Sequence, residues 1–125
     1  MIRALQILVF ICLCLATPVS AQETQKVVLG AVTKWQGFDK QEIKFDNREA
    51  WYVIPKQAAP GNPWVWRAHF PTWHTEMDSI LVAKGFHVAY INTNDMFAHP
   101  KAMQIWDDFY DYLVNEKHFA RKVAL

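Results

Sequence analysis

Past residue 21 this chain has no cysteine, a single serine and no surplus of either charge. Both cysteines, Cys12 and Cys14, fall in a leader: Arg3, an apolar run from Ile7 to Ala16, and the small-residue stretch Val19-Ser20-Ala21. That order reads as a secretory signal peptide cut after Ala21, which makes the expected location secreted or periplasmic. The apolar run is too short for the roughly 18 to 20 residues that cross a bilayer. Neither cysteine follows a small residue, which argues against lipidation, and every later apolar segment is broken by charge. No membrane partner is therefore expected after cleavage. The expected organisation is a signal peptide over 1–21 and one domain over 22–125, held by its core with neither disulfide nor thiolate chemistry. Removing Arg3 leaves 13 − 1 = 12 Lys plus Arg against 12 Asp plus Glu. Such a neutral balance argues against a nucleic acid as partner.

The remaining chain is rich in strand and helix signals. Gln41–Asp46 and Ala50–Ile54 carry β-forming residues on either side of Asp46-Asn47, which predicts an antiparallel hairpin. Three prolines and a glycine mark Pro55–Pro63 as a surface connection. Alternation from Trp64 to Phe70 predicts a strand, and Phe86–Thr93 predicts a buried one. Between them, Thr75 and Asp78 have capping-box spacing, Met77, Ile80 and Leu81 form an apolar helical face, and Lys84-Gly85 marks a helix end. Pro100 opens a second helix, with Met103, Trp106, Phe109, Tyr110 and Leu113 at helical spacing, expected to reach Glu116 or Lys117. The closing Arg121–Leu125 run reads as the start of another strand. Strand and helix alternate, so the expected class is α/β, with a hairpin followed by parallel strands flanked by helices.

The densest stretch is "PWVWRAHFPTWHTEMD", Pro63–Asp78. His69, His74, Glu76 and Asp78 are candidate metal ligands by type, but Pro71 and the strand-to-loop break between the histidines favour ordinary hydrogen-bonding roles. Six tryptophans lie beyond the leader. Trp64 and Trp66 share one strand face and Trp106 lies on an apolar helix face, so these three read as core. Trp35, Trp51 and Trp73 are less constrained, and Trp73, in the loop after the strand, is the first candidate for lining a pocket. A secreted carbohydrate-binding module that stacks sugars on exposed indoles is thus one reading of this chain. Arg67 on its strand should be paired or stacked. His87 reads as a core histidine, and His99 sits where a helix begins.

The segments "PWVWRAHFPTWHTEMD", "KGFHVAYINT", "HPKAMQIWDDFYDYL" and "KVAL", in this order, resemble the amino-terminal half of secreted bacterial α/β-hydrolases related to the prolyl-oligopeptidase-like esterases. The resemblance covers about Val32–Leu125. It implies an incomplete α/β-hydrolase sheet, ending at the start of the strand that precedes a Gly-x-Ser-x-Gly nucleophile elbow. By the same resemblance all three triad positions lie beyond Leu125, so this chain holds no catalytic residue and is inactive alone. The substrate implied is a small-molecule or carbohydrate ester, with peptides as a second option, and no cofactor or metal is implied. The loop "HFPTW" corresponds to the segment that supplies an oxyanion-hole amide. Pro71 has no N–H, which leaves Phe70 as the first donor candidate and Thr72 as the second. Trp73 and His74 are the candidate pocket-lining residues. The residues themselves agree that a nucleophile is missing: Ser79, the one serine beyond the leader, has no glycine neighbour and lies in a predicted helix. A chain cut before a central strand is also expected to expose apolar surface and associate.

Overall fold

A computed structural model describes residues 26–125; the leader and both cysteines lie outside them. Strands β1 (Val27–Trp35), β2 (Phe38–Phe45) and β3 (Arg48–Ile54) form an antiparallel meander. Each reversal is a two-residue turn. Gln36-Gly37 and Asp46-Asn47 hold left-handed φ values of 47°, 82°, 48° and 61°, the twist that a tight hairpin needs. The Asp46-Asn47 hairpin matches the sequence reading. β1 was not foreseen. It carries an extra residue between Leu29 and Val32, where the register shifts against β2. At this bulge a Cβ on Gly30 would lie 3.1 Å from the Glu42 carbonyl oxygen, so the close approach of the two strands needs glycine.

After the Pro55–Pro63 connection come β4 (Trp64–Trp66), helix α1 (Glu76–Ala83), β5 (His87–Ile91) and helix α2 (Pro100–Asp111), which runs on as a π-helical turn, Tyr112–Glu116. The sheet order is β1-β2-β3-β5-β4. β5 inserts between β3 and β4, antiparallel to the first and parallel to the second.

This order corrects the expected fold class. The sheet is mixed and mostly antiparallel with only two α-helices among the described residues, not the parallel α/β-hydrolase layout that the resemblance implied. The reason is connectivity. Two-residue turns can only make antiparallel neighbours, and helix α1 is the one crossover that returns a strand parallel to its predecessor. The strand expected at Arg121–Leu125 is a single parallel bridge, Val65 to Ala124, on the outer edge of β4.

Two apolar layers cover the sheet. On one face Phe45, Tyr52, Trp64 and Ile91 pack with Ile105, Phe109 and Leu113 of α2 and its π-helical extension. Phe45 and Phe109 meet edge to face at 5.3 Å, both fully buried. At about 1.5–3 kcal/mol for a buried side chain of this size, this contact is enough to anchor the helix. On the opposite face Trp51, Val53, Val65, Val88 and Tyr90 pack with Val82 of α1. Trp51, one of the unconstrained tryptophans of the sequence reading, is 3 % exposed and belongs to this layer. The apolar face expected of α1 is only partly buried: Leu81 packs against this layer, but Met77 and Ile80 are 65 % and 49 % exposed, while Asp78 and Val82 are buried.

Candidate functional site

β4 and β5 run parallel, and their continuations leave the sheet toward opposite faces, one to α1 and the other to α2. Beyond β4 the chain returns as the Ala124 bridge, on the side away from β5. Such a divergence opens a crevice at the carboxyl ends of parallel strands, where ligands bind in sheets of this kind. The loop after β4, residues 67–75, builds this end of the molecule.

Arg67 sets the shape of the loop. Its backbone N–H still donates to the Ala89 carbonyl at 2.8 Å, as a last rung of the sheet. Its guanidinium then turns back onto the loop, where Nε donates to the Phe70 carbonyl at 2.9 Å, Nη2 to the Trp73 carbonyl and Nη1 to the Asp78 carboxylate. The ion pair is shielded, with the Arg67 and Asp78 side chains 15 % and 9 % exposed. Asp78 is therefore not the capping-box residue that its spacing suggested. The Thr75 side chain makes no cap bond to α1 and accepts one from Gln36 Nε2 at the β1–β2 turn.

These anchors explain why the strand ends early. Expected to reach Phe70, β4 stops at Trp66, because Phe70 adopts a left-handed φ of 50°. The Trp73 N–H closes a turn onto the Phe70 carbonyl at 3.2 Å, with Pro71 at the first central position, where its fixed φ fits. His74, at φ 49°, reverses the chain again into α1. Among the described residues the Phe70 and Thr72 amides have no hydrogen-bond partner.

A groove of about 730 Å³ lies along this loop, bordered by Trp66, Phe70, Trp73, His74, Met77 and Leu81. The structure thus brings together Phe70, Trp73 and His74; Thr72 is exposed but does not border the groove. Phe70 and Trp73 rings meet at 5.5 Å, and the Trp73 indole contacts the His74 ring at 4.2 Å. Phe70 and Trp73 remain 55 % and 60 % exposed, an apolar surface left uncovered at the sheet end. His74 Nδ1 lies 3.8 Å from the Glu76 carboxylate, with both side chains exposed. Among the described residues no group of three or more His, Cys, Asp or Glu side chains is placed to hold a metal ion, and no helix is long and apolar enough to cross a membrane.

No family model, curated protein or solved structure matches this chain. Its chemistry has to be read from the site alone. Ser79 is spent inside α1, where its hydroxyl donates to the Glu76 carbonyl at 2.7 Å, the back-bond of a helical serine. Met77 and Leu81 were missed as groove residues because helical spacing assigned them to the core. Their signal was ambiguous, since an apolar residue one position from a buried aspartate can face either way. What the loop offers is unengaged backbone N–H groups, those of Phe70 and Thr72 together with Ala68, His69, His74 and Thr75, beside an apolar, aromatic wall. That combination can hold a polarised carbonyl oxygen or a sugar face.

Proposed function

We propose that this chain is the amino-terminal part of a secreted serine hydrolase acting on carboxylic esters, with the residue 67–75 loop as one wall of its acyl-transfer site. The observation that carries the reading is the clamped turn, in which the Phe70 amide is without a partner at a groove edged by Trp73 and Met77. The proposal rests on this loop and not on a sheet layout. In the complete site a serine from elsewhere in the protein, activated by a histidine, attacks the ester carbonyl. As the carbonyl carbon becomes tetrahedral, negative charge builds on its oxygen, and a fixed amide donor aimed there lowers the barrier. Of the two donors that the family resemblance singles out, Phe70 borders the groove and Thr72 does not, so Phe70 is the donor of choice between them. Trp73 and Met77 then pack the acyl or alcohol group.

The exposed Trp73 indole also suits the face of a sugar ring, which supports a carbohydrate-binding module as the second reading. The two separate in a paired assay. The 125-residue chain should hydrolyse an activated acetate ester no faster than buffer, whereas the product of an extended reading frame should turn it over. Turnover by the 125-residue chain that Ser79→Ala abolishes would overturn the account of the nucleophile. Retention on polysaccharide, lost in Trp73→Ala and without any esterase activity, would favour the binding module.

A further inference from the structure

An arginine at the edge of a ligand groove invites the reading that it binds an anionic substrate. The bonding of Arg67 says otherwise. Nε, Nη1 and Nη2 each donate to an acceptor of the protein itself, and the side chain is 15 % exposed. The charge is also answered on the spot by Asp78. We propose that Arg67 is a positioning residue: its planar fork holds the Phe70 and Trp73 carbonyls, and with them the turn whose Phe70 amide the hydrolase reading assigns as donor to a substrate oxygen. The inference rests on the hydrolase reading for its catalytic consequence and deepens it, because it also assigns the substrate class.

The geometry behind this is local. The Phe70 carbonyl lies in the plane it shares with Pro71, which has no N–H, and the Trp73 carbonyl in the plane it shares with His74, so fixing both on one guanidinium fixes both ends of the turn between them. Phe70 is thereby held at φ 50°, a conformation that a non-glycine residue keeps only where surrounding contacts determine it. Lysine cannot substitute. It presents one ammonium point where three acceptors lie around a plane. Because Arg67 and Asp78 neutralise one another and the rest of the described wall holds the histidines His69 and His74 but no lysine or further arginine, the groove offers no permanent cation free for a carboxylate, phosphate or sulfate ester. The substrate class assigned is an uncharged ester with an apolar or aromatic group.

The test compares wild type, Arg67→Lys and the double variant Arg67→Met/Asp78→Leu, which removes both charges and keeps an apolar filling. Two readouts are taken on the extended protein: steady-state hydrolysis of an uncharged aryl acetate, and amide hydrogen exchange resolved at Trp73 and at Val88 of β5. The expected result for Arg67→Lys is a fall in kcat of about 100-fold with KM nearly unchanged, the size of losing one oxyanion donor. Trp73 exchange should rise at least about tenfold while Val88 keeps its protection. The double variant should show the same loop exchange, separating the clamp from the cost of an unpaired buried charge. Wild-type Trp73 exchange in both variants overturns the proposal, as does a loss of protection at Val88 in step with Trp73, which would make Arg67 a general structural residue. A negatively charged ester preferred over the neutral one would overturn the substrate class. If wild type hydrolyses no ester at all, the hydrolase reading fails, and the exchange at Trp73 alone decides the clamp.

Discussion

Gly85 stands at φ 95°, and a Cβ added there would lie 2.5 Å from the Ala59 nitrogen and 2.9 Å from the Gln57 carbonyl oxygen. It closes α1 in a Schellman arrangement, with Phe86 N–H donating to the Leu81 carbonyl and Gly85 N–H to that of Val82. The Gly85 carbonyl in turn accepts from Ala59, tying the helix end to the Pro55–Pro63 connection. Both the backbone conformation and the space demand glycine, and backbone cannot yield as a flexible side chain does. Gly85→Ala is expected to cost about 2–3 kcal/mol, measured as a shift in the urea midpoint at constant m-value. This residue was legible in the sequence as a helix end, because the rule involved is local. Asp78 was not. Its spacing from Thr75 announced a cap, a bond worth about 1 kcal/mol. The full positive charge of a shielded guanidinium holds the carboxylate more strongly than a backbone N–H does and takes it instead. The competing partner, Arg67, sits on another element, where no spacing rule within the helix can find it.

At the level of elements, the hairpin between β2 and β3 depends on two consecutive left-handed residues, Asp46 and Asn47. Asparagine tolerates this region better than other residues with a Cβ, and glycine better still. Asn47→Ala should therefore destabilise the protein by about 1 kcal/mol, whereas Asn47→Gly should leave stability at or slightly above wild type. Thermal unfolding of the two variants checks this; equal losses would mean that the Asn47 side chain, rather than the backbone, carries the turn. The same contrast explains which elements could be read from the sequence. The hairpin announces itself through residues that accept its unusual backbone. β1 does not, since Gly30 and the bulge break its alternation and both of its faces are largely exposed. β4 was read too long because alternation continues through Phe70, where the backbone turns left-handed and its carbonyl is held by Arg67. At the candidate site, Trp73 stood out by its place in the loop after the strand, while the loop's donor role and Phe70 were reached only through the family resemblance. The clamp that shapes them was visible only as an arginine in need of a partner.

For the whole molecule, strand order follows from long-range pairing that no local pattern encodes. Alternating strands and helices suggested a parallel sheet, yet among the described residues α1 is the only crossover between paired strands, and β5 inserts beside β3, to which it runs antiparallel. This interior strand also sets how the fold responds to pH. His87 opens it, 8 % exposed, with its ring against Phe119 at 4.3 Å and Nδ1 3.4 Å from the Pro63 carbonyl. Burial pushes the His87 pKa below its ordinary 6.5, more than the Pro63 carbonyl raises it. Below pH 6.5 the unfolded chain accordingly binds this proton before the folded one does, so stability present above 6.5 is lost as pH falls through the folded value. Further down, Asp108 is held below its ordinary 3.8 by hydrogen bonds from Lys26 and Gln104, and its small exposed contribution goes only in that more acid range. In base the order reverses. Burial raises Tyr52, Tyr90 and Tyr112 above 10, so the folded state resists ionisation that the unfolded chain accepts, and stability falls as pH climbs past 10. The expected profile of the thermal midpoint is a plateau from about pH 6.5 to 10 that declines on both sides. His87→Phe, which keeps a ring against Phe119, should flatten the first acid decline while leaving the alkaline limb in place. If the acid limb of that variant matches wild type, the decline belongs to groups other than the histidine at the head of β5.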